Sequence, residues 1–173
     1  MSIAPREVGN TLILTYMIKD ISVKLYRGFN KLIESKHLDN PFLVTPRTPI
    51  HTNYEVHCLA DRWFEMNLGI KARSECIFCT PDIHTALRFS EGYEHGCVAE
   101  ITPEGNYQIV FSENVIDFNE YPEILEEDPS KVQDWLSSQD YLSVKDVKDI
   151  PEGFMGEIML YCASFGVKVI HSY

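Results

Sequence analysis

The sequence predicts an α+β domain built on antiparallel strand pairs, and three observations carry that prediction. Helical patterning is concentrated in the first half of the chain, whereas strand-like runs dominate the second. Two pairs of those runs are separated by short turn-forming segments, Thr102-Pro103-Glu104-Gly105-Asn106 and Ser164-Phe165-Gly166, the spacing of antiparallel neighbours. The 173 residues, 45% of them apolar and with no Pro- or Ser-rich linker, have the size and composition of one domain. The expected organisation is a single domain over residues 1–173, with 1–21 as a helical extension.

Val8, Leu12, Leu14, Met17 and Ile21 predict a short helix over 8–20. Val23 and Leu25, followed by Tyr26-Arg27-Gly28, read as a strand running into a glycine turn, which sets Arg27 at a strand end facing a cleft. Phe42-Leu43-Val44 reads as a second strand, ended by the stiff loop Pro46-Arg47-Thr48-Pro49. Thr52 or Asn53 can cap a helix through about Asn67, with Val56, Leu59, Ala60, Trp63 and Phe64 as its apolar stripe and Leu68-Gly69 as its stop. A buried strand is expected over 75–80, and Pro81-Asp82 opens a helix to about Phe89.

Runs 97–101 and 107–111 are expected to pair as a hairpin, and so are 157–162 and 167–171. Between them, 122–139 is acidic, and a helix after Asp128-Pro129 should expose one charged face.

A net charge of −11 with only 15 basic residues opposes attraction to a phosphate backbone, so nucleic acid is a disfavoured partner. The basic residues Arg27, Arg47, Arg62, Lys71, Arg73 and Arg88 nevertheless fall in the first half, which places any small anion-binding pocket there. An odd number of cysteines, five, and no secretory signal pattern predict a reducing cytoplasm. Leu12 to Met17 is too short to span a membrane, so a soluble protein without a membrane partner is expected.

An Arg on one strand, a hydroxyl residue on a second and a Glu on a third can surround an anionic ligand with a labile bond, and NAD+ is such a ligand. Arg27 offers a planar fork of donors to a pyrophosphate, which Lys cannot do. Cleavage at the nicotinamide ribose passes through an oxocarbenium-like state, which a carboxylate at Glu157 would steady. Thr80 or Ser74 would keep the carboxylate and sugar in register, and Tyr26, Phe78 or Phe89 would offer the nicotinamide an aromatic surface. The plainer readings are a surface ion pair for Arg27, an exposed edge charge for Glu157 and ordinary core for the aromatics.

Tyr26-Arg27-Gly28, then Phe78-Cys79-Thr80 with Ala86-Leu87-Arg88-Phe89, then Glu157-Ile158-Met159-Leu160 follow one another over residues 22 to 171. In that order they resemble the motifs of the ADP-ribosyltransferase superfamily, in its Arg–Ser/Thr–Glu branch. The segment Pro46-Arg47-Thr48-Pro49 with His57, Asp61, Phe64, Gly69, Arg73 and Ser74 is similar to small bacterial and bacteriophage members. The resemblance implies an ADP-ribosyltransferase-like split β-sandwich, two small, mainly antiparallel sheets around a cleft with flanking helices. It implies a mono-ADP-ribosyltransferase that cleaves NAD+ as substrate, expects no metal, and transfers ADP-ribose to a macromolecule. The implied setting is a phage or bacterial effector acting on a host protein in the host cytoplasm.

Carried over residue by residue, the resemblance makes Glu157, Arg27 and Thr80 catalytic and assigns NAD+ binding to Tyr26, Arg27, Gly28, Arg47, Ser74, Phe78 and Phe89. Arginine-modifying relatives place Glu or Gln two positions before the catalytic Glu, where this chain has Met155, which disfavours an arginine acceptor. Cys79-Thr80 also has fewer hydroxyls than many relatives carry. The alternatives are an NAD+ glycohydrolase and an inactive binding protein whose acidic surface, including Glu123 to Asp128, imitates phosphate.

Cys76-Ile77-Phe78-Cys79, with His57, Cys58, His84, His95 and Cys97, has the residue types of a zinc site. Cysteines three apart on a strand point to opposite faces, however, which favours buried thiols. A Cys–His nucleophile at Cys79 or Cys97 lacks any local signature. No Gly-x-Gly-x-x-Gly is present, so NAD+ is expected as a cleaved substrate rather than a hydride carrier.

Overall fold

The structure, a computed structural model, describes residues 23–173; the helix predicted over 8–20 lies outside the described residues. Strands β1 (Leu25–Phe29), β2 (His37–Asp39), β3 (Ile77–Cys79), β4 (Cys97–Phe111), β5 (Leu142–Val144) and β6 (Ile158–Ser172) form one six-stranded open sheet. All their pairings are antiparallel. Helices α1 (Tyr54–Leu68), α2 (Ala72–Glu75), α3 (Ile83–Ser90), α4 (Ile124–Glu127) and α5 (Val132–Ser137) complete an α+β architecture.

The sheet hangs on β4 and β6, each of fifteen residues, which pair from Cys97↔Ser172 to Val110↔Met159. Along its other edge β4 takes β1 on its first half and β5 on its last residues; β6 takes β3 on its first residues and β2 near Phe165. The strands therefore belong to one hydrogen-bonded network rather than to two separate small sheets.

The two hairpins read from the sequence are not present. Residues 102–106 continue β4, and 164–166 continue β6, because these segments lie opposite each other: Thr102 faces Gly166, Pro103 faces Phe165 and Glu104 faces Ser164. Gly105, at φ 65°, is accommodated where the register shifts between Glu104 and Tyr107, so the turn residue makes a bulge and not a reversal. Pro103 lies beyond the end of β1, where its missing donor costs no β1 bond.

Period-two alternation sorts the long strands between two cores. Ile109, Phe111, Ile158 and Leu160 face Leu25, Ile77 and Phe165, covered by Ile150 and Phe154. Val110 and Met159 face the other way, against Val56, Ala60 and Phe64 of α1, Leu125 of α4 and Leu136 of α5. Residues 120–140 thus bury one face and turn their acidic residues outward.

Other predicted boundaries change. Phe42-Leu43-Val44 is no strand: Asn40 accepts from the Phe42 amide at 3.0 Å and caps a 3-10 turn over Pro41–Leu43, while the strand lies earlier, at β2. The run predicted over 75–80 gives its start to α2 and leaves only β3. β1 continues past Gly28, so Arg27 sits in mid-strand opposite Ala99 rather than at a strand end. α1 begins and ends as expected, with Asn53 accepting from the Glu55 and Val56 amides and Gly69 at φ 79°. Asp82 caps α3 in the same way. Among the described residues no helix is long and apolar enough to cross a membrane.

Candidate functional site

Three distant segments meet where β3 leaves β6. Beyond Cys79 the chain turns toward β1, and Thr80 and Tyr26 exchange backbone hydrogen bonds of 2.8 and 2.9 Å. Arg27 Nη1 donates to the Phe78 carbonyl at 2.7 Å, and the Thr80 hydroxyl donates to the Met155 carbonyl at 3.3 Å. Cys79 pairs with Ile158 at the end of the ladder, so Thr80 is the residue that follows β3 and Glu157 the residue that precedes β6. The Glu157 amide, freed from that ladder, donates to the Ile116 carbonyl at 2.7 Å.

The partner of the Glu157 carboxylate comes from α2. Asp61 Oδ1 on α1 accepts from the Arg73 and Ser74 amides at 2.8 and 3.1 Å, fixing the start of that short helix. Arg73 then reaches Glu157, Nη1 to Oε1 at 2.5 Å, with side chains only 3% and 16% exposed. Arg73 stacks on the rings of Phe78 and Phe118, at 4.4 and 4.1 Å. Arg47 stacks on Phe42 and Phe78, at 3.8 and 4.3 Å. Phe42, Arg47, Phe78, Arg73 and Phe118 thereby form an alternating run of cation–π contacts.

The guanidinium groups are incompletely used. Arg47 Nη2 donates to the Cys76 carbonyl at 3.2 Å, yet Nε of both Arg47 and Arg73 is buried without a partner among the described residues. Among the described residues, neither Arg27 nor Arg47 has a carboxylate partner. Burial lowers the pKa of Arg27, and burial with the charges of Arg27 and Arg73 brings Arg47 down to about 10, so it remains charged at neutral pH. Burial raises Glu157 above the ordinary carboxylate value while Arg73 pulls against it. Beneath the cluster, His57 is lowered to about 4, by burial first and then by Arg73 and Arg47. Asp61 is raised to about 6 by burial, against its amide bonds.

Of the residues singled out in the sequence, Arg27, Arg47, Phe78 and Glu157 come together here. Thr80 is at the junction, but its hydroxyl is bonded to Met155 and to the Asp82 amide rather than to Glu157. Ser74 contributes main chain, its carbonyl accepting from the Arg47 amide at 2.8 Å. Tyr26 lines a neighbouring cavity of about 590 Å³ with Pro81, Ile150, Phe154 and Met155. Gly28 lies beneath α3, where a Cβ would stand 2.4 Å from the Ala86 carbonyl oxygen and 3.0 Å from Phe89 Cβ. Phe89 packs there but is 59% exposed, so it is not plain core.

Sequence reasoning missed the role of Arg73 and the part played by Phe42 and Phe118. Between Ala72 and Ser74 nothing marks Arg73 as buried, and its partner is 84 residues away. Cys76 and Cys79 are buried thiols in opposite cores. Among the described residues no group of three or more His, Cys, Asp or Glu side chains is placed to hold a metal.

The fold and site define an α+β protein with a single antiparallel sheet, at whose β1–β3–β6 junction Arg27 of β1, Arg47 of a loop and Arg73 of α2 gather with the shielded Glu157 carboxylate. Comparison with protein-family models, with curated proteins and with solved structures found no match.

Proposed function

We propose that this protein is a mono-ADP-ribosyltransferase that cleaves NAD+ and transfers ADP-ribose to a macromolecular acceptor. One observation carries the reading: the Tyr26–Arg27, Phe78–Thr80 and Met155–Glu157 segments are tied together by direct hydrogen bonds, with Arg47 stacked on the same Phe78. Arg27 and Arg47, without carboxylate partners among the described residues, suit the pyrophosphate, and their planar donors can engage it bidentately. In this reading the halves of the sheet on either side of the β4 register shift serve as the two lobes of a split β-sandwich.

The bond that breaks joins the ribose C1′ to the nicotinamide nitrogen, and its electron pair leaves with neutral nicotinamide. The cationic ribosyl carbon then takes a lone pair from the acceptor nucleophile, whose proton passes to solvent. The Glu157 carboxylate stabilises the cation between those events. The acceptor is proposed to be a host protein, with the enzyme acting as a bacterial or phage effector in the host cytoplasm.

The test is nicotinamide release from NAD+ by the purified protein and its Glu157→Gln variant, with and without host lysate and with labelled NAD+. Glutamine keeps an acceptor for Arg73, so the variant should fold. Release should fall by about 100-fold or more in the variant, the scale on which a single transition-state contact acts. Label on a lysate protein marks transfer, and release without label marks a glycohydrolase. A second reading, a binding protein without turnover, is favoured by the acidic cavity that Glu123, Glu126 and Glu127 line. No release from folded wild-type protein under either condition would select it.

A further inference from the structure

A carboxylate that steadies a short-lived cation must be fixed in place, and the hydroxyl that the sequence motif offers for this, Thr80, is occupied elsewhere. The Thr80 hydroxyl donates its one proton to the Met155 carbonyl at 3.3 Å and accepts from the Asp82 amide at 3.1 Å, which makes it a brace of the turn into α3. Glu157 Oε1 instead receives Arg73 Nη1, and among the described residues no hydrogen bond is made to Oε2.

Arg73 has little freedom of its own. Its amide is held by Asp61 at 2.8 Å, its guanidinium lies against Phe78 and Phe118, and Nη1 also approaches Met159 Sδ at 3.7 Å. The side chain is 3% exposed, so its position is set by packing on every side. A guanidinium anchored in this way fixes one oxygen of a carboxylate and leaves the other to a ligand, which a mobile exposed arginine could not do.

We infer that Arg73 is the positioning residue for Glu157, in the part that the sequence motif gives to Thr80. The inference rests on the NAD+-cleaving reading above. Arg73 touches neither the reacting bond nor the acceptor; it orients the carboxylate and opposes the rise in its pKa that burial causes.

The test compares Arg73→Met and Arg73→Lys with wild type for kcat, KM for NAD+ and the acid limb of the pH profile of nicotinamide release. In Arg73→Met, kcat should fall about 100-fold, the scale of a displaced catalytic group, with KM within about threefold. The acid limb should move up by about one pH unit as the carboxylate loses its cation. Arg73→Lys should return the limb to its wild-type place and recover at least about tenfold in kcat, because the charge is restored without the planar fork. An unmoved limb in folded Arg73→Met, or Arg73→Lys no better than Arg73→Met, overturns the inference.

If Arg73→Met fails to fold, Arg73→Lys is set against Thr80→Val. The lysine variant should lose more kcat than the valine variant, and the reverse order overturns the inference. Wild type that folds but releases no nicotinamide overturns the functional reading and this inference with it. Active wild type with indifferent Arg73 variants overturns this inference alone.

Discussion

Gly28 owes its place in the chain to packing before any question of ligand arises. With no side chain, it lets the backbone of α3 settle directly on β1, and a methyl group there would meet the Ala86 carbonyl oxygen at 2.4 Å. That oxygen belongs to a helix backbone and cannot rotate away, so α3 or β1 must shift. Gly28→Ala should therefore destabilise the protein by roughly 1–3 kcal/mol, the range for overfilled interiors, measured by urea denaturation. Gly92 is the contrasting case: its φ is 86°, but nothing lies within 4 Å of its added Cβ, so Gly92→Ala should cost only the backbone strain, about 1–2 kcal/mol. The two differ in kind, since the displaced helix at Gly28 also carries Phe89, whose Cβ would stand 3.0 Å from the added methyl. A wild-type denaturation midpoint in Gly28→Ala would mean that α3 is not docked this closely.

At the scale of elements, what was legible in the sequence was what neighbouring residues decide among themselves. Asn53 and Gly69 bound α1 because a cap and a left-handed stop act within a few residues, and Asp82 starts α3 for the same reason. The turn signals at 102–106 and 164–166 failed because they state only that the backbone can bend there. Whether it bends is decided by pairing: each segment is the other's partner across β4 and β6, and β2 adds a further ladder at Phe165. The same division runs through the site. Arg27, Phe78 and Glu157 lie on or beside strands whose apolar residues made them visible, whereas Arg73 is hidden in a four-residue helix that depends on Asp61. Phe165 tests the continuous strand directly. It is 2% exposed and faces Leu25 and Leu160 in the core, where a hairpin turn would have left it in solvent. Phe165→Ala should cost roughly 3–5 kcal/mol in equilibrium unfolding, and a cost below about 1 kcal/mol would restore the turn.

At the scale of the whole molecule, two of the groups that make stability respond to pH are His57 and Asp61, four residues apart on α1 with Nε2 and Oδ2 3.5 Å apart. In the folded protein His57 is not protonated until pH falls to about 4, against 6.5 as its ordinary value, so between those values the unfolded chain binds more protons. Stability from this group is present above pH 6.5 and is lost as pH falls toward 4. Asp61 has the opposite sign: folded, it keeps its proton up to about pH 6, against an ordinary value of 3.8, so the folded chain binds more protons in that window and gains stability as pH falls. The windows overlap from about pH 4 to 6, where the two slopes oppose and largely cancel. His57→Gln removes one side of the balance. Relative to wild type the variant should gain stability as pH falls from 6.5 toward 4, by up to about 1.4 kcal/mol per pH unit. Asp61→Asn, which keeps an oxygen for the Arg73 and Ser74 amides, should tilt the other way between pH 6 and 4. Titration of the many exposed carboxylates is common to all three proteins and drops out of the differences. Unfolding free energies at half-unit steps of pH measure both, and a flat difference between wild type and His57→Gln would show that His57 is not kept neutral by the burial and arginine charges around it.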